Sequence, residues 1–369
     1  MSRKRFLMLW TKLLQKKERA NDMVPNIKPT IRMVAEKANV SVTTVSRVIN
    51  GNYPVSPEAR ASVEKAINDL GYRPNVVAQS LKSGKTKMIG VVIANIANKF
   101  FMELVQGVET VVGKEGYHLI ICSTDNNPQK ELELLSMLKE RMVDGIIAAS
   151  CNDDGSVFKQ LIDTGTPVAL VDRRVPNLKA DFILEDNYSA VYKMVKYLID
   201  NGHERIGILL GLEHLSMNQE RFAGYRDALK ENGIKLNKRY IIKGEFNTSK
   251  VHASFYNMLK NLSKDERPTA LLACSGPMAE GVMLAVEDLG LSIPEDISLV
   301  SYGTLSSSLI KPKITAISQK NFDMGVEAGK LVLKRLKEQS LNKKHRKFTE
   351  IIINNEVIFG NSVKNIKNL

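Results

Sequence analysis

TIRMVAEKANVSVTTVSRVIN, residues 30–50, has the pattern of two short helices separated by a tight turn. Thr30 follows a proline and can cap the first helix, and Ser41 can cap the second. Asn39 falls between them, where the turn needs a residue that tolerates a positive φ. Apolar side chains recur at helical spacing on one face of each helix: Val34, Ala35 and Ala38 in the first, and Val45, Val48 and Ile49 in the second.

The second helix carries polar side chains on its other face, namely Thr43, Ser46, Arg47 and Asn50. All four can reach a base edge or a phosphate, as the recognition helix of a helix-turn-helix domain must do in the major groove of DNA. From these residues alone, an ordinary two-helix corner with a polar outer surface is the alternative.

A third helix is predicted shortly afterwards. Ser56-Pro57-Glu58 supplies a capping hydroxyl, a proline at the first helical position and an acid near the positive end of the helix dipole, and Gly71 ends the helix. Three helices in about 40 residues can share one small core. The apolar face of the third helix is Ala59, Val63, Ala66, Ile67 and Leu70.

Charge is distributed unevenly along the 369 residues, which are enough for two or three domains. Residues 1–87 contain 17 Lys and Arg against 6 Asp and Glu, whereas the rest of the chain contains 36 against 34. A basic module is therefore joined to a nearly neutral body. Attraction to phosphates explains this asymmetry and predicts a strongly salt-dependent affinity for nucleic acid.

Cysteine and histidine usage gives no sign of metal or redox chemistry. Cys122, Cys151 and Cys274 are far apart, and we expect them at the ends of buried strands in a reducing cytoplasm. The five histidines are scattered, so neither a metal site nor a catalytic cluster is predicted, and no cofactor is expected. No apolar run approaches the roughly 18 residues that would span a bilayer.

The first 29 residues include RKRFLMLWTKLLQKK, which places apolar side chains on one helical face with lysines around it. Such a helix could lie on a membrane surface. We favour the alternative that translation begins at Met23, which leaves a short segment before Thr30.

From Met88 onward, strand-like apolar runs alternate with helical patterns. This alternation predicts an α/β core of two doubly wound parallel-sheet subdomains that face each other across a cleft. An enzyme of the dehydrogenase type would need a glycine fingerprint after the first strand, and ANIANKFF contains none, so no catalytic residues are predicted. The strand-like runs are MIGVVIA, YHLIICST, DGIIAAS, PVALVDR, RIGILLG, TALLACS and ISLVSYG.

The helical and strand-like segments quoted above occur in the order found in the lactose-repressor/galactose-repressor (LacI/GalR) family of transcription regulators. The chain closely resembles that family from about Thr30 to Phe359. The resemblance implies a periplasmic-binding-protein-like core whose chain crosses between subdomains near Asp186, Ser318 and Lys347. The most specific motifs are VSVTTVSRVINGN, GYRPN, NKFFMELVQGVE, VDGIIAAS, RFAGYRDAL and IPEDISLVSYG.

The expected division of the chain follows from these motifs. It comprises a basic extension (1–29), a helix-turn-helix domain (30–74), a hinge helix with linker (75–87) and a core (88–369). The first subdomain of the core is expected at about 88–186 and 318–346, and the second at about 187–317 and 347–362.

The resemblance also implies a DNA-contacting set. In it Val42 and Thr43 distinguish family members, and Arg47 is the main base reader. In the hinge, Asn75 can cap a short helix, Ala78 allows close pairing of two hinges, and Leu81 aligns with the leucine that the family inserts into the minor groove. Leu81 as an ordinary linker residue is the alternative. The complete set is Thr30, Ser41, Val42, Thr43, Thr44, Ser46, Arg47, Asn50, Ser56, Asn75, Ala78 and Leu81.

An effector site is implied by the same resemblance. Aromatic faces pack on sugar rings, and a carboxylate beside guanidinium groups suits sugar hydroxyls. For Asp172, Arg173 and Arg221 the alternative is a structural salt bridge that holds the cleft. The predicted effector-binding residues are Asn98, Phe100, Phe101, Asp172, Arg173, Arg221 and Gln319.

Two departures from the family pattern bear on the effector. Ser275-Gly276 replaces an asparagine–aspartate pair, and Tyr302-Gly303 replaces phenylalanine–aspartate.

The expected partners are double-stranded operator DNA, a second copy of the chain and a sugar or sugar derivative. A regulator controlled by a protein corepressor is the alternative. A stand-alone sugar-transport protein would not explain the basic module.

Overall fold

The computed structural model describes residues 29–51, 53–73, 85–305, 311–341 and 347–367. The chain divides into two compact units, an amino-terminal unit of residues 1–84 and a core of residues 85–369. Asn75, Ala78 and Leu81, and the extension before Pro29, lie outside the described residues.

The amino-terminal unit contains the three predicted helices. One valine from each helix is completely buried in a small core that the three helices share: Val34, Val45 and Val63. Asn39 has a φ of 53° in the turn between the first two helices, so the prediction of a positive φ is confirmed. The helices are α1 (Ile31–Lys37), α2 (Val42–Asn50) and α3 (Pro57–Leu70).

The core begins with a first lobe of alternating strands and helices. Four of its strands are fully or largely buried, as parallel strands covered by helices on both faces must be, whereas the edge strand His118–Ser123 is partly exposed. The elements are β1 (Met88–Ile93), α4 (Lys99–Val112), β2 (His118–Ser123), α5 (Pro128–Glu140), β3 (Gly145–Ala148), α6 (Ser156–Asp163), β4 (Val168–Val171) and β5 (Asp181–Glu185), with a 3-10 turn at Gly113–Glu115.

A second lobe repeats this plan, and the chain then returns to the first lobe before ending in the second. The elements are α7 (Asn187–Asp200), β6 (Ile206–Leu210), α8 (Ser216–Glu231), β7 (Ile241–Lys243), α9 (Thr248–Asn261), β8 (Ala270–Ala273), α10 (Gly276–Asp288), β9 (Ser298–Tyr302), β10 (Thr315–Ser318), α11 (Asn321–Ser340), β11 (Glu350–Ile353) and β12 (Glu356–Ile358), with 3-10 turns at Lys238–Tyr240 and Lys264–Glu266.

Each lobe is built on a six-stranded sheet. The first has the order β11-β5-β4-β3-β1-β2 and the second β12-β10-β9-β8-β6-β7. Within each sheet the strands pair in parallel, except that β12 runs antiparallel to β10. The predicted fold class is confirmed: a helix-turn-helix domain, followed in the chain by two doubly wound, parallel-dominated subdomains.

The last crossing between the lobes differs from the sequence-based estimate. Crossings follow β5 at Asp186 and β10 at Gln319, close to the expected positions. The third was expected near Lys347, but β11 pairs in parallel with β5 from Glu350 to Ile353 and therefore still belongs to the first lobe. The chain crosses at 354–355 instead. The strand EIII has only three apolar residues after a polar and charged segment, which gives no distinct pattern in the sequence.

Helix contacts in the first lobe depend on two glycines. α4 and α11 approach so closely that a Cβ atom at Gly107 would lie 2.1 Å from the carbonyl oxygen of Phe322. A Cβ atom at Gly325 would lie 1.9 Å from the carbonyl oxygen of Leu104. The backbones can meet at this distance only because both positions lack a side chain. Since α11 follows the second crossing, this contact fixes the returning chain against the first lobe.

Candidate functional site

The starts of the three amino-terminal helices use predicted DNA-binding residues as caps. The hydroxyl oxygen of Ser41 accepts a hydrogen bond from the Thr44 N–H at 3.1 Å. Thr30 and Ser56 cap α1 and α3 in the same way, at 3.4 and 3.3 Å. These hydroxyls therefore have a local structural role, and each fixes a helix N-terminus, where free N–H groups and the helix dipole favour an anion.

The outward face of α2 carries the remaining predicted residues. Val42, Thr43, Arg47 and Asn50 are exposed, and Ser46 is half-buried and accepts a hydrogen bond from Asn50 Nδ2 at 3.2 Å. Thr44 is half-buried, and its hydroxyl lies 2.9 Å from that of Ser41.

Tyr53 is a neighbour of Arg47 that the sequence reading missed. The Arg47 guanidinium carbon lies 5.3 Å from the centroid of the Tyr53 ring, within the range of a cation–π contact. The Tyr53 ring is largely exposed. The contact restricts the orientation of the arginine expected to read a base. The signal in the sequence was the isolated aromatic residue just after the predicted recognition helix.

A cleft of about 590 Å³ lies between the two lobes of the core. Its walls come from the residues that follow the carboxyl ends of strands in both sheets, which is where open α/β sheets hold ligands. All seven residues predicted to bind an effector line it: Asn98, Phe100, Phe101, Asp172, Arg173, Arg221 and Gln319. Their role in ligand binding stays a prediction.

Asp172 and Arg173 occupy a strained turn at the end of β4. Asp172 has a φ of 65°, and the Arg173 N–H donates to the Val171 carbonyl oxygen at 2.6 Å, which closes a three-residue turn. Such turns are rare and strained, and they persist where the surrounding structure holds them. The two side chains are buried, and Asp172 Oδ2 lies 3.3 Å from Arg173 Nε. Arg173 Nη1 also donates to Asn126 Oδ1 at 2.9 Å.

The aromatic wall of the cleft comes from the start of α4. Asn98 caps this helix through its Oδ1, which accepts from the Phe100 N–H at 3.0 Å, so its amide N–H groups are left to face a ligand. Phe100 and Phe101 pack edge to face, with ring centroids 4.9 Å apart. Phe101 is buried, whereas Phe100 is half-exposed and presents the accessible aromatic surface.

Arg221 is fixed by three contacts within its own lobe. Its Nε donates to Asn187 Oδ1 at 2.9 Å, and its Nη1 donates to the Cys274 carbonyl oxygen at 2.9 Å. Its guanidinium carbon lies 3.6 Å from the centroid of the Tyr302 ring. The arginine is therefore held rigidly, with a side chain that still lines the cleft.

Glu185 connects the crossings between the lobes. Its Oε2 accepts from Gln319 Nε2 at 2.8 Å and from the Tyr302 hydroxyl at 3.2 Å, and Asn355 Nδ2 donates to that same hydroxyl at 2.7 Å. Glu185, Gln319 and Asn355 stand at the first, second and third crossings. We call these three residues and Tyr302 the hinge cluster.

Burial changes the acid–base chemistry of Glu185. Desolvation raises the pKa of Glu185 from 4.5 to about 7, although Arg221 Nη2, 3.9 Å from Oε2, lowers it. Glu185 Oε1 has no hydrogen-bond partner among the described residues. The sequence reading missed this residue because the strand DFILE, at whose end it lies, was not recognised.

The family departures leave part of the cleft wall without side chains. A Cβ atom at Gly276 would meet nothing closer than 3.6 Å, whereas one at Gly303 would lie 2.9 Å from Gln319 Oε1. Glu280, one turn further along α10, also lines the cleft and was not predicted. Its signal would have been an acid four residues after the replaced pair.

The three cysteines are free and buried, and they lie at or near strand ends as expected: Cys122 in β2, Cys151 three residues after β3 and Cys274 directly after β8. Burial raises the pKa values of Cys151 and Cys274 to about 12, so both are protonated thiols near neutral pH. Within the described ranges, none of the helices combines the length and the apolar composition that crossing a bilayer requires.

A helix-turn-helix unit joined to a two-lobed binding core defines the class of DNA-binding transcription regulators. Two family descriptions match the chain: "Bacterial regulatory proteins, lacI family" over residues 30–75, and "Periplasmic binding protein-like domain" over residues 195–363. Catabolite control protein A of Priestia megaterium is 35% identical over 315 residues, which cover 85% of this chain and 94% of that protein. The transcriptional repressor PurR of Vibrio vulnificus is 36% identical over 320 residues, with the same coverage. The chain belongs to the lacI family of bacterial regulatory proteins and is not an enzyme.

Solved structures agree with this assignment. The lac repressor dimer bound to operator and the anti-inducer ONPF superposes with a TM-score of 0.78 at 25% identity, covering 91% of this chain and 99% of that one. A complex of the transcriptional regulator CelR with cellobiose has a TM-score of 0.67 at 26% identity, with 90% and 99% covered.

Proposed function

We propose that this chain represses transcription in the cytoplasm as a homodimer bound to a pseudo-palindromic operator, and that a small polyhydroxylated metabolite in the cleft sets its affinity for DNA. A two-fold symmetric protein matches a two-fold symmetric site, with α2 of each copy in a major groove.

The exposed face of α2 supports the DNA-binding part. Arg47 extends from that face beside Tyr53, and an arginine fork suits guanine O6 and N7. The cap at Ser41 fixes the N-terminus of α2, where the N–H groups of Val42 and Thr43 can face a backbone phosphate. The excess of Lys and Arg in residues 1–87 adds attraction that does not depend on sequence.

The cleft supports the sensing part. A half-exposed aromatic ring at Phe100 lies in the same cavity as the buried pair Asp172 and Arg173. An aromatic face can pack on a sugar ring, while charged groups and amides bond its hydroxyls. CelR was solved with cellobiose and the lac repressor with ONPF, so proteins of similar structure hold small ligands of this kind.

Coupling between the cleft and DNA requires two arrangements of the lobes. A ligand that binds one arrangement more tightly increases the population of that arrangement. The free energy of this shift cannot exceed the difference between the binding free energies of the two arrangements. The direction of the DNA response then depends on which arrangement allows two hinge segments to pair.

Selection of bound fragments from random DNA, with the full-length protein, tests the proposal and yields an operator. We expect Arg47→Ala to weaken operator binding by about 1–3 kcal/mol in a gel-shift assay. Lys65→Ala, which removes a charge from exposed α3, is the matched control and should have a smaller effect. Equal losses for the two variants would refute the placement of α2 in the groove.

The same selection is then repeated with a panel of sugars and, separately, with a cell extract. A change in operator affinity with a sugar supports the sensing role of the cleft. A change that requires a protein from the extract, with no response to any small molecule, would instead favour the protein corepressor.

A further inference from the structure

Tyr53 is an aromatic residue that takes no part in the core of the amino-terminal unit. It is 64% exposed, and it does not belong to the apolar cluster that the three helices share. Tyr72, the other tyrosine of this unit, is packed against that cluster. Core packing therefore does not explain the position of the Tyr53 ring, which is free to act on a neighbouring side chain.

The neighbouring side chain is Arg47, whose guanidinium carbon lies 5.3 Å from the centroid of the Tyr53 ring. Other cations of the unit are held by acids: Lys37 pairs with Asp69 at 3.1 Å, and Arg60 pairs with Glu64 at 4.0 Å. Helix α2 contains no acidic residue, and across the described ranges Arg47 forms neither an ion pair nor a side-chain hydrogen bond. The contact with the ring is therefore what restricts the guanidinium group.

The backbone after α2 places the ring beside the arginine. Gly51 ends the helix with a φ of 65°, and its N–H donates to the Arg47 carbonyl oxygen at 2.9 Å. A left-handed residue of this kind turns the chain away from the helix axis, so that the following residues can fold back toward the last turn. Pro54 restricts the backbone of the residue before it to extended conformations. The ring of Tyr53 is thus held in place without any contribution from DNA.

This contact suits an arginine that must read a base. A guanidinium group that recognises guanine presents two N–H groups together to O6 and N7. A long side chain on a helix surface samples many rotamers, and it loses that freedom when it binds. The ring reduces this loss in advance. It leaves the N–H donors available, because no oxygen atom of the described chain accepts a hydrogen bond from them.

We infer that Tyr53 is a positioning residue for the reading of DNA: its ring holds the Arg47 guanidinium in the orientation that reaches a base edge, and the base preference at that operator position depends on the ring. This inference rests on the proposed placement of α2 in the major groove. Apparent affinity falls in proportion to the population of the binding-competent arrangement. A cation–π contact at an exposed site raises that population by about two- to fivefold. Two copies on a pseudo-palindromic operator multiply the effect to about five- to thirtyfold.

Gel shifts with the full-length protein and its selected operator test the inference with two substitutions at one position. Tyr53→Leu removes the aromatic ring, and we expect it to weaken operator binding by about five- to thirtyfold. Fragment selection with this variant should show a weaker base preference at the same position that Arg47→Ala affects. Tyr53→Phe keeps the ring and should retain most of the affinity and the preference. Binding to random-sequence DNA should be unchanged in both variants, since it depends on phosphate charge.

A double-mutant cycle separates positioning from an independent contribution. In the Arg47→Ala background, Tyr53→Leu should cause no further loss, because a positioning residue acts only through the arginine. Additive losses in the double variant, an unchanged base preference in Tyr53→Leu, or tighter operator binding by that variant would overturn the inference and leave Arg47 as the base reader. Undiminished operator binding by Arg47→Ala would overturn the placement of α2 itself, and with it this inference.

Discussion

Replacing Glu185 with glutamine should make the core more stable at alkaline pH and change it little at acid pH. The carboxyl group is buried at the hinge cluster, where Gln319 and Tyr302 both donate to Oε2. Oε1 has no partner, so a proton there, or an amide in its place, removes a buried negative charge without breaking either bond. The groups that face this carboxyl are Arg221, Tyr302 and Asp172.

The magnitude follows from proton linkage. Burial raises the pKa of Glu185 from 4.5 in an exposed glutamate to about 7 in the folded chain. At about 1.4 kcal/mol for each tenfold change in proton affinity, full ionisation costs the folded state about 3 kcal/mol. Because the folded pKa is the higher one, stability is greatest below 4.5 and falls as the pH rises toward about 7. By the same linkage, the cost of ionisation is below about 1 kcal/mol at pH 5 and close to its full value at pH 8.

Urea unfolding of the wild type and of Glu185→Gln at pH 5 and pH 8 measures this difference. The free energy of unfolding of the variant minus that of the wild type should be larger at pH 8 than at pH 5, by about 2–3 kcal/mol. Other titrating groups are common to both proteins and cancel. Glu204→Gln, at an exposed position, is the control and should show no pH-dependent gain. A constant difference between Glu185→Gln and the wild type at the two pH values would refute the argument that burial dominates over Arg221.

Two further predictions concern packing and capping. Gly107→Ala should destabilise the core by about 1–3 kcal/mol in a thermal-unfolding assay, because the new Cβ would lie 2.1 Å from the Phe322 carbonyl oxygen. Gly113→Ala is the control in the same assay, since its Cβ meets nothing closer than 3.7 Å. Ser41→Ala should lower the stability of the amino-terminal unit by about 1 kcal/mol and weaken operator binding in a gel shift. Ser41→Thr should retain most of the stability and most of the affinity. Equal affinities for Ser41→Ala and the wild type would count against the cap at α2.

The amino-terminal unit could be predicted almost completely from its sequence, because every signal in it is local. Thr30, Ser41 and Ser56 cap the three helices as expected, and Asn39 adopts the expected positive φ. Each of these choices depends on residues within four positions of it. Tyr53 was missed because its contact with Arg47 is a side-chain contact across a loop, which no periodicity indicates.

Strand length did not decide which strands of the core could be predicted, because β3, β4 and β8 have only four residues each and were recognised. β1, β2, β3, β4, β6, β8 and β9 correspond to the expected runs. β5, β7, β10, β11 and β12 each contain at most three consecutive apolar residues and gave no distinct pattern, and the third crossing was misplaced as a result. The positions of the cleft residues followed from the family motifs, whereas the ionic partners that decide the charge of the cleft depend on long-range contacts.

The hinge cluster explains how a ligand in the cleft could influence the relative position of the lobes. Arg221 lines the cleft, lies over the Tyr302 ring and is 3.9 Å from the carboxyl group of Glu185. Glu185, Gln319 and Asn355, one at each crossing, meet at that carboxyl group or at the Tyr302 hydroxyl. A ligand group that accepts a hydrogen bond from Arg221 competes with Glu185 for the guanidinium charge, and so favours the protonated form of Glu185. The hinge cluster that joins the lobes is then neutral rather than charged. Coupling between the cleft and DNA requires such a difference in energy between two states of the hinge cluster.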